Sequence, residues 1–193
     1  KIPFPALALL ISGGHTELVL MRGWGQYEIL GKTLDDAVGE AFDKVARLLH
    51  LPYPGGPEVS KKATIAREQN IEKTHTLPRP MMYTKNYDFS FSGLKTAVLY
   101  SVKDKELSEE QICDLCREFE ESVTDVLIHK TKNALQEYGI ETLIIGGGVS
   151  ANSGLRSAMH ALSEKNKWTI LLPKLEYCTD NAAMIAIAGY YKY

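Results

Sequence analysis

The chain has 193 residues, 45% hydrophobic and 24% charged, a balance that suits one globular domain with a substantial core. Its formal net charge of −2 argues against a general basic surface for nucleic acid or anionic membranes, and no apolar stretch is long enough to span a bilayer. The three cysteines are an odd number, which argues against a disulfide framework and favours a reducing, cytosol-like compartment.

Three apolar segments open the chain, at residues 6–11, 16–21 and 27–34, and their short links predict an antiparallel meander. The polar tip Ser12-Gly13-Gly14-His15 joins the first two segments. Glycines let the backbone turn sharply and leave N–H groups open to an anion, so this tip is a candidate phosphate-binding loop. An ordinary β-turn is the alternative.

A helix at residues 36–50 is predicted next, because apolar side chains recur at helical spacing, at Val38, Ala41, Phe42, Val45, Leu48 and Leu49. Residues 51–57 are rich in proline and glycine and indicate a loop. Residues 58–107 follow no single pattern, and we interpret them as an insertion that contains a polar helix and the segment 89–96.

The second half of the chain alternates helices with strands. A long helix begins at a capping box, Ser108 with Gln111, and ends before Gly139. A strand at residues 142–145 leads into a triple glycine at 146–148 and a helix from residue 153. A second strand at 168–172 and a last helix from 179 complete the chain.

This element order, βββαβαβα, predicts an α/β fold with a mixed sheet and helices on both faces, as in ribonuclease H. Two such units facing each other form the actin, sugar-kinase and heat-shock ATPase architecture, which holds a nucleotide in the cleft between its halves. We expect residues 1–193 to form a single domain, one half of that architecture, with the insertion at about residues 58–107.

Six segments of the sequence resemble one family, in the expected order and at the expected spacing. They are Leu10-Ile11-Ser12-Gly13-Gly14-His15-Thr16, residues 35–44, Tyr53-Pro54-Gly55-Gly56-Pro57, residues 89–96, Gly147-Gly148-Val149-Ser150-Ala151-Asn152 and residues 178–184. The family is that of the tRNA N6-threonylcarbamoyladenosine transferases, formerly known as O-sialoglycoprotein endopeptidases. His15 after the glycine pair is similar to the bacterial and mitochondrial branch.

The resemblance implies an acyltransferase that moves a threonylcarbamoyl group from an adenylate intermediate to the N6 amine of the adenosine 3′ of the anticodon in tRNA. It implies nucleotide contacts at Leu10, Ile11, Ser12, Gly13, Gly14, Asp43, Gly56 and Asn152, and a metal ligand at Asp180. The implied cofactors are one divalent iron or zinc ion and an adenylate or ATP. The implied partners are tRNA, an inactive paralogue and a P-loop ATPase, with no membrane, in the cytoplasm or, in a eukaryote, the mitochondrion.

Several of these residues also have simpler structural interpretations. Asp43 is either a ligand for ribose hydroxyls at the sheet edge or a solvent-facing carboxylate paired with Arg47 one helical turn on. Asn152 is a candidate helix N-cap as well as a ligand contact, and both roles can hold at once. Asp180 would also be favourable simply as a carboxylate in the first turn of a helix.

The sequence departs from the family pattern at the metal site. The family's other ligands are two histidines spaced i, i+4 in an amino-terminal half, and the five histidines here, His15, His50, His75, His129 and His160, include no such pair. We therefore expect the amino-terminal half to be absent and this chain alone to be inactive. Cys113 and Cys116 have the spacing of a zinc or redox pair, but one pair on an apolar helix stripe favours core packing.

Two alternatives to the transferase remain open. One is a non-catalytic paralogue that serves as a scaffold, and the other is a sugar kinase or ATPase on the same fold. Ser12, Asp43, Asn152 and Asp180 favour the transferase, while a protease lacks support because no His-Glu-x-x-His motif occurs. We expect weak binding of tRNA by this chain alone, with any contact at Arg79, Lys85 and Lys95.

Overall fold

A computed structural model describes residues 2–192. The five strands are β1 (Ala6–Ile11), β2 (Thr16–Gly23), β3 (Gln26–Lys32), β4 (Thr142–Gly146) and β5 (Thr169–Leu171). The six α-helices are α1 (Val38–Leu48), α2 (Gly55–Glu68), α3 (Ser92–Val102), α4 (Glu109–Glu137), α5 (Ser153–Asn166) and α6 (Ala182–Lys192). Short 3₁₀ turns lie at Gly148–Ala151 and Leu175–Tyr177.

The strands form one mixed sheet in the order β3-β2-β1-β4-β5. β1 pairs antiparallel with β2, and β2 with β3, because their connections are short hairpins. β4 pairs parallel with both β1 and β5, since helices carry the chain between these strands. The predicted α/β fold with a mixed sheet is confirmed.

The main hydrophobic core lies on one face of the sheet. Alternate residues of β1, namely Leu7, Leu9 and Ile11, are fully buried and pack against apolar side chains from α1 to α5. Phe42 of α1 meets Phe119 of α4 edge to face, with ring centroids 5.0 Å apart. Each fully buried side chain of this kind contributes about 1.5–3 kcal/mol relative to its exposed state. Helices α2 and α3, from the predicted insertion, share this core.

The opposite face of the sheet is partly open. On β3, Tyr27 and Ile29 are 57% and 58% exposed. Helix α6 is apolar, but its described side chains include no buried one. It is anchored by Tyr191, whose ring stacks on Trp24 with centroids 3.9 Å apart. Within residues 2–192, no helix is both long and apolar enough to cross a membrane.

Helix α4 carries the predicted capping box, in which Ser108 and Gln111 exchange backbone-to-side-chain hydrogen bonds. Its predicted apolar stripe is buried apart from half-buried Ile112. Cys113 and Cys116 are free and buried, and burial raises the pKa of both thiols. Raised pKa values disfavour the thiolates that metal binding and redox chemistry need, which supports the packing role.

Charged side chains that α4 also buries hold residues 71–79, which form neither helix nor strand. Asp114 Oδ2 accepts hydrogen bonds from the Thr74 amide and hydroxyl, each at 2.8 Å, and lies 2.8 Å from His75 Nδ1. Arg117 forms an ion pair with Asp114. We call residues 71–79 together with Asp114, Arg117 and Glu118 the α4 clamp.

The structure corrects three predicted boundaries. The first helix begins at Val38 rather than residue 36, because Thr16 Oγ1 accepts the Val38 N–H at 2.8 Å. The predicted loop 51–57 is wrong at its end, since α2 already begins at Gly55, whose N–H donates to the Asp43 carboxylate. The last helix begins at Ala182 rather than 179, after Asn181 Oδ1 accepts the Met184 N–H at 3.2 Å.

Candidate functional site

A cleft of about 880 Å³ opens beyond the carboxyl ends of β1 and β4. These strands are parallel neighbours, so the segments that follow them meet at one edge of the sheet, where ligands of open α/β sheets bind. The cleft brings together six predicted site residues, Ser12, Gly13, Asp43, Gly56, Asn152 and Asp180. Three others, Leu10, Ile11 and Gly14, do not line it.

The turn after β1 is organised by the hydroxyl of Ser12. Its Oγ accepts the N–H groups of Gly14 at 3.2 Å and His15 at 3.0 Å. Gly14 therefore uses its amide inside the turn, contrary to the expectation that both glycines offer an N–H to a ligand. The Gly13 N–H has no hydrogen-bond partner in residues 2–192, so one donor is left at the cleft.

Leu10 and Ile11 point away from the ligand space for a simple reason of strand alternation. Ile11 is fully buried in the main core, and Leu10 is on the other face of β1. A Cβ added at Gly146 would lie 3.5 Å from Leu10 Cδ2. The side chains of Leu10 and Ile11 therefore pack beneath the loop and do not line the cleft.

Two glycines let the backbone segments around the cleft approach closely. Gly147 has φ +97°, and a Cβ there would lie 2.3 Å from Ile11 O. Gly39 in α1 donates its N–H to Ser12 O at 3.1 Å, and a Cβ would lie 2.7 Å from that oxygen. Both positions require glycine, which fixes the Ser12 turn between α1 and the triple-glycine loop.

Asp43 links α1 to the start of α2. Its Oδ1 accepts the Gly55 N–H at 2.8 Å, whereas pairing with Arg47, the simpler sequence interpretation, does not occur. Within residues 2–192, the second carboxylate oxygen, Oδ2, has no hydrogen-bond partner. Asp43 therefore presents a free acceptor at the cleft. Gly56, next along α2, has open space where a Cβ would be.

Asn152 is the N-cap of α5, as the sequence suggested. Its Oδ1 accepts the Leu155 N–H at 2.8 Å. Its Nδ2 donates to Glu120 Oε1 at 2.5 Å and to Ser60 Oγ at 3.3 Å. The side chain is thus fully engaged by the protein, and a ligand contact by it would have to share one of these bonds.

Asp180 is exposed at the mouth of the cleft, two residues before α6, so it does not lie in the first helical turn as its simpler interpretation required. Across residues 2–192, no three His, Cys, Asp or Glu side chains are grouped so that they could hold a metal ion. None of the histidines lines the cleft. The metal-ligand role of Asp180 stays a prediction.

Three residues that sequence reasoning did not select build the site. Arg156 donates to Ser150 O at 2.7 Å and to Pro173 O at 2.6 Å, which ties the loop after β4 to the segment that leads to Asp180. Glu120 holds Asn152, and Lys61 is the single cationic side chain among the described residues that line the cleft. A lone Arg or Glu in an amphipathic helix carries no sequence signal for such a role.

The 89–96 segment is anchored by Asp35. Asp35 accepts hydrogen bonds from the hydroxyls of Ser90 and Ser92, both at 2.6 Å, and from the Phe91 N–H at 2.8 Å. Partial burial acts to raise the pKa of Asp35, but these hydrogen bonds outweigh it and leave the pKa below its usual value.

Of the residues expected to contact tRNA, Arg79 is already occupied. It pairs with Glu118 at 2.5 Å and with Asp125 at 2.9 Å. Lys85 and Lys95 form no ion pair that the structure records within residues 2–192.

Comparison with known proteins agrees with the sequence resemblance. The family model of tRNA N6-adenosine threonylcarbamoyltransferase (TsaD) matches residues 1–187. Curated relatives of that name are 50% identical over 194 residues in Chromobacterium violaceum, 49% over 189 in Thermosipho africanus and 51% over 195 in Francisella philomiragia. These alignments cover 98%, 98% and 100% of the chain but 56% of each relative, so the chain spans about half the length of the curated relatives it matches. The chain belongs to the tRNA N6-adenosine threonylcarbamoyltransferase family.

Proposed function

We propose that this chain binds an adenylate in the cleft and takes part in the transfer of a threonylcarbamoyl group to the N6 amine of an adenosine in tRNA. Family membership supports the reaction, and the unused polar groups of the cleft support the ligand. The single observation that carries the proposal is the free Oδ2 of Asp43, which lies in the same cleft as the unpaired Gly13 N–H and Lys61.

Each unused group suits one part of an adenylate. The Gly13 N–H donates to a phosphate or carbamate oxygen, and Lys61 supplies positive charge in the same cleft. Asp43 Oδ2 accepts from a ribose hydroxyl. The open space at Gly56 lets the sugar lie against the first turn of α2. In this role the chain binds and orients the nucleotide part of the donor.

We infer that the enzyme's divalent iron or zinc ion takes at most one ligand, Asp180, from this chain. The described residues do not fit a complete metal site, because Asp180 has no two further metal-binding side chains grouped with it in residues 2–192. One carboxylate does not make a site, so the remaining ligands must come from outside these residues.

The partners proposed for the complete enzyme are tRNA, an inactive paralogue and a P-loop ATPase, in the cytoplasm. The net charge of −2 and the pairing of Arg79 with two carboxylates support a tRNA surface that is shared with such partners rather than carried by this chain alone.

The test measures threonylcarbamoyladenosine in tRNA from cells in which the complete enzyme that contains this chain is the sole source of the activity. Asp43→Asn keeps an acceptor for the Gly55 N–H but replaces the free oxygen with an NH₂ group, so we expect the modification to fall at least about tenfold. Asp104→Asn, at an exposed turn, is the matched control and should leave the modification unchanged.

Nucleoside mass spectrometry separates the transferase from the scaffold alternative. A scaffold would tolerate Asp43→Asn as long as the chain folds, so unchanged modification in that variant would contradict the proposal. Circular dichroism of both purified variants confirms that folding is equal.

A further inference from the structure

Beneath the cleft, a buried carboxylate connects its two walls. Glu120 of α4 is 1% exposed and has no role in the proposed chemistry. Its Oε1 accepts the Asn152 Nδ2 hydrogen at 2.5 Å, and its Oε2 lies 2.6 Å from Arg67 Nη2 of α2. The same carboxylate therefore reaches the N-cap of α5 on one side and α2 on the other.

Asn152 closes this connection. Its amide nitrogen also donates to Ser60 Oγ, 3.3 Å away on α2, and Ser60 itself lines the cleft. The free rotation of the Asn152 side chain is removed by the three bonds it makes, of which the bond to Glu120 is the shortest. Because Asn152 also ends the 3₁₀ turn that follows the triple glycine, its orientation sets where that loop stands relative to α2.

Gly154 provides a second, independent sign that the position of this carboxylate matters. A Cβ at Gly154 would lie 2.6 Å from Glu120 Oε2, so only glycine leaves room for the carboxylate where it is. Gly154 has no positive φ that would call for glycine, and it lies in the first turn of α5, where alanine is the better helix former. The space it leaves is used by Glu120.

We propose that Glu120 is a positioning residue for nucleotide binding: it holds Asn152 and thereby fixes the separation of the α2 and α5 walls of the cleft. Glu120 touches no ligand in this proposal, which rests on the proposed adenylate site. It acts by removing alternative rotamers of Asn152, so its loss lowers nucleotide affinity without removing any contact to the nucleotide.

The experiment measures the affinity of the chain for AMP by NMR titration, together with the melting temperature of each variant. Glu120→Ala should weaken AMP binding about three- to tenfold, the effect of losing one charge-assisted hydrogen bond. Glu120→Gln should lie between the wild type and Glu120→Ala in affinity, because the Gln Oε1 can accept the same bond from Asn152 while its NH₂ group then faces the Arg67 guanidinium, donor against donor. Glu121→Ala, on the same helix but without a contact to Asn152, is the matched control.

Gly154→Ala separates positioning from stability. Alanine favours the helix, so the fold should be kept or stabilised, yet its methyl group displaces the Glu120 carboxylate and should weaken AMP binding as Glu120→Ala does. This variant also answers the case in which Glu120→Ala does not fold.

Unchanged AMP affinity in Glu120→Ala or Gly154→Ala would overturn the proposal. So would an equal loss in Glu120→Gln, because the hydrogen bond to Asn152 would then not be the feature that matters. If the wild-type chain binds no AMP at all, the proposed adenylate site is wrong, and the positioning role falls with it.

Discussion

The α4 clamp and the cleft use the same kinds of polar groups in opposite ways. In the clamp, Asp114 receives hydrogen bonds from Thr74 and His75 and pairs with Arg117, so its charge is fully matched by the protein. In the cleft, Asp43 has one carboxylate oxygen hydrogen-bonded to the Gly55 amide and one without a partner in residues 2–192. Matched groups hold a fold together, whereas unmatched groups in a concave site are available to a ligand.

The two regions also differ in how their backbone is held. Side chains of α4 hold residues 71–79, which have no regular structure, beside one backbone hydrogen bond from the Ile71 N–H to Ala66 O at 3.0 Å. Around the cleft, backbone meets backbone directly, since Gly39 and Gly147 permit approaches that any side chain would block. Substitutions in the clamp should therefore cost stability without touching binding, and cleft substitutions should separate by whether they alter backbone approach or ligand contacts.

Asp114→Ala should have the largest effect on stability. It leaves Arg117, which is 4% exposed, as a buried charge without its carboxylate and removes the acceptor for Thr74 and His75. Breaking a buried pair in this way costs about 3–5 kcal/mol. Chemical denaturation measures the loss, and AMP affinity of the folded variant should be unchanged. Glu110→Ala, at an exposed position of the same helix, is the control. A loss under about 1 kcal/mol would show that the clamp is not a stabilising unit.

Gly147→Ala should have the next largest effect. We expect it to lower the free energy of unfolding by about 2–4 kcal/mol, because φ +97° is strained for alanine and the added Cβ overlaps Ile11 O. Gly148→Ala is a matched control one residue away, with no positive φ and no atom within 4 Å of the added Cβ. Thermal unfolding of the two variants should differ by about 5–15 °C. Equal melting temperatures would mean that the loop adapts and that close approach to β1 is not required.

The sheet and the long capped helix were predicted from periodicity and capping residues, and the family resemblance predicted six of the residues that line the cleft. Asp43 is an instructive exception: its spacing from Arg47 suggested a local pair, but the Gly55 amide at the start of α2 captures the carboxylate instead. That contact depends on tertiary structure, which helical spacing does not encode.

The α4 clamp could not be predicted from the sequence for a related reason. Asp114, Arg117 and Glu118 lie among the charged residues of a helix whose apolar stripe was predicted correctly, and such residues usually face solvent. Here residues 71–79 cover them, and a segment without periodicity gives no indication of where it will pack. The roles of Glu120 and Arg156 were not predicted, because each acts through a backbone or side-chain partner on another element.

The smallest expected effect is the acid dependence of the clamp. Burial acts to raise the pKa of Asp114, but hydrogen bonds from Thr74 and His75 and the Arg117 contact outweigh it and lower the pKa from 3.8 to about 2. A carboxyl group whose pKa is lower in the folded state stabilises the fold above its unfolded pKa and loses that contribution as the pH falls through the folded value. The contribution, about 2 kcal/mol, should therefore be present at neutral pH and disappear between about pH 4 and pH 2.

Urea denaturation of the wild type and of Asp114→Asn across this range isolates the effect, because the other carboxyl groups titrate alike in both proteins. The difference in unfolding free energy should shrink by about 2 kcal/mol from pH 5 to pH 2. A difference that stays constant from pH 5 to pH 2 would show that the clamp does not depend on the charge of Asp114, and the contrast with the unmatched oxygen of Asp43 in the cleft would then fail.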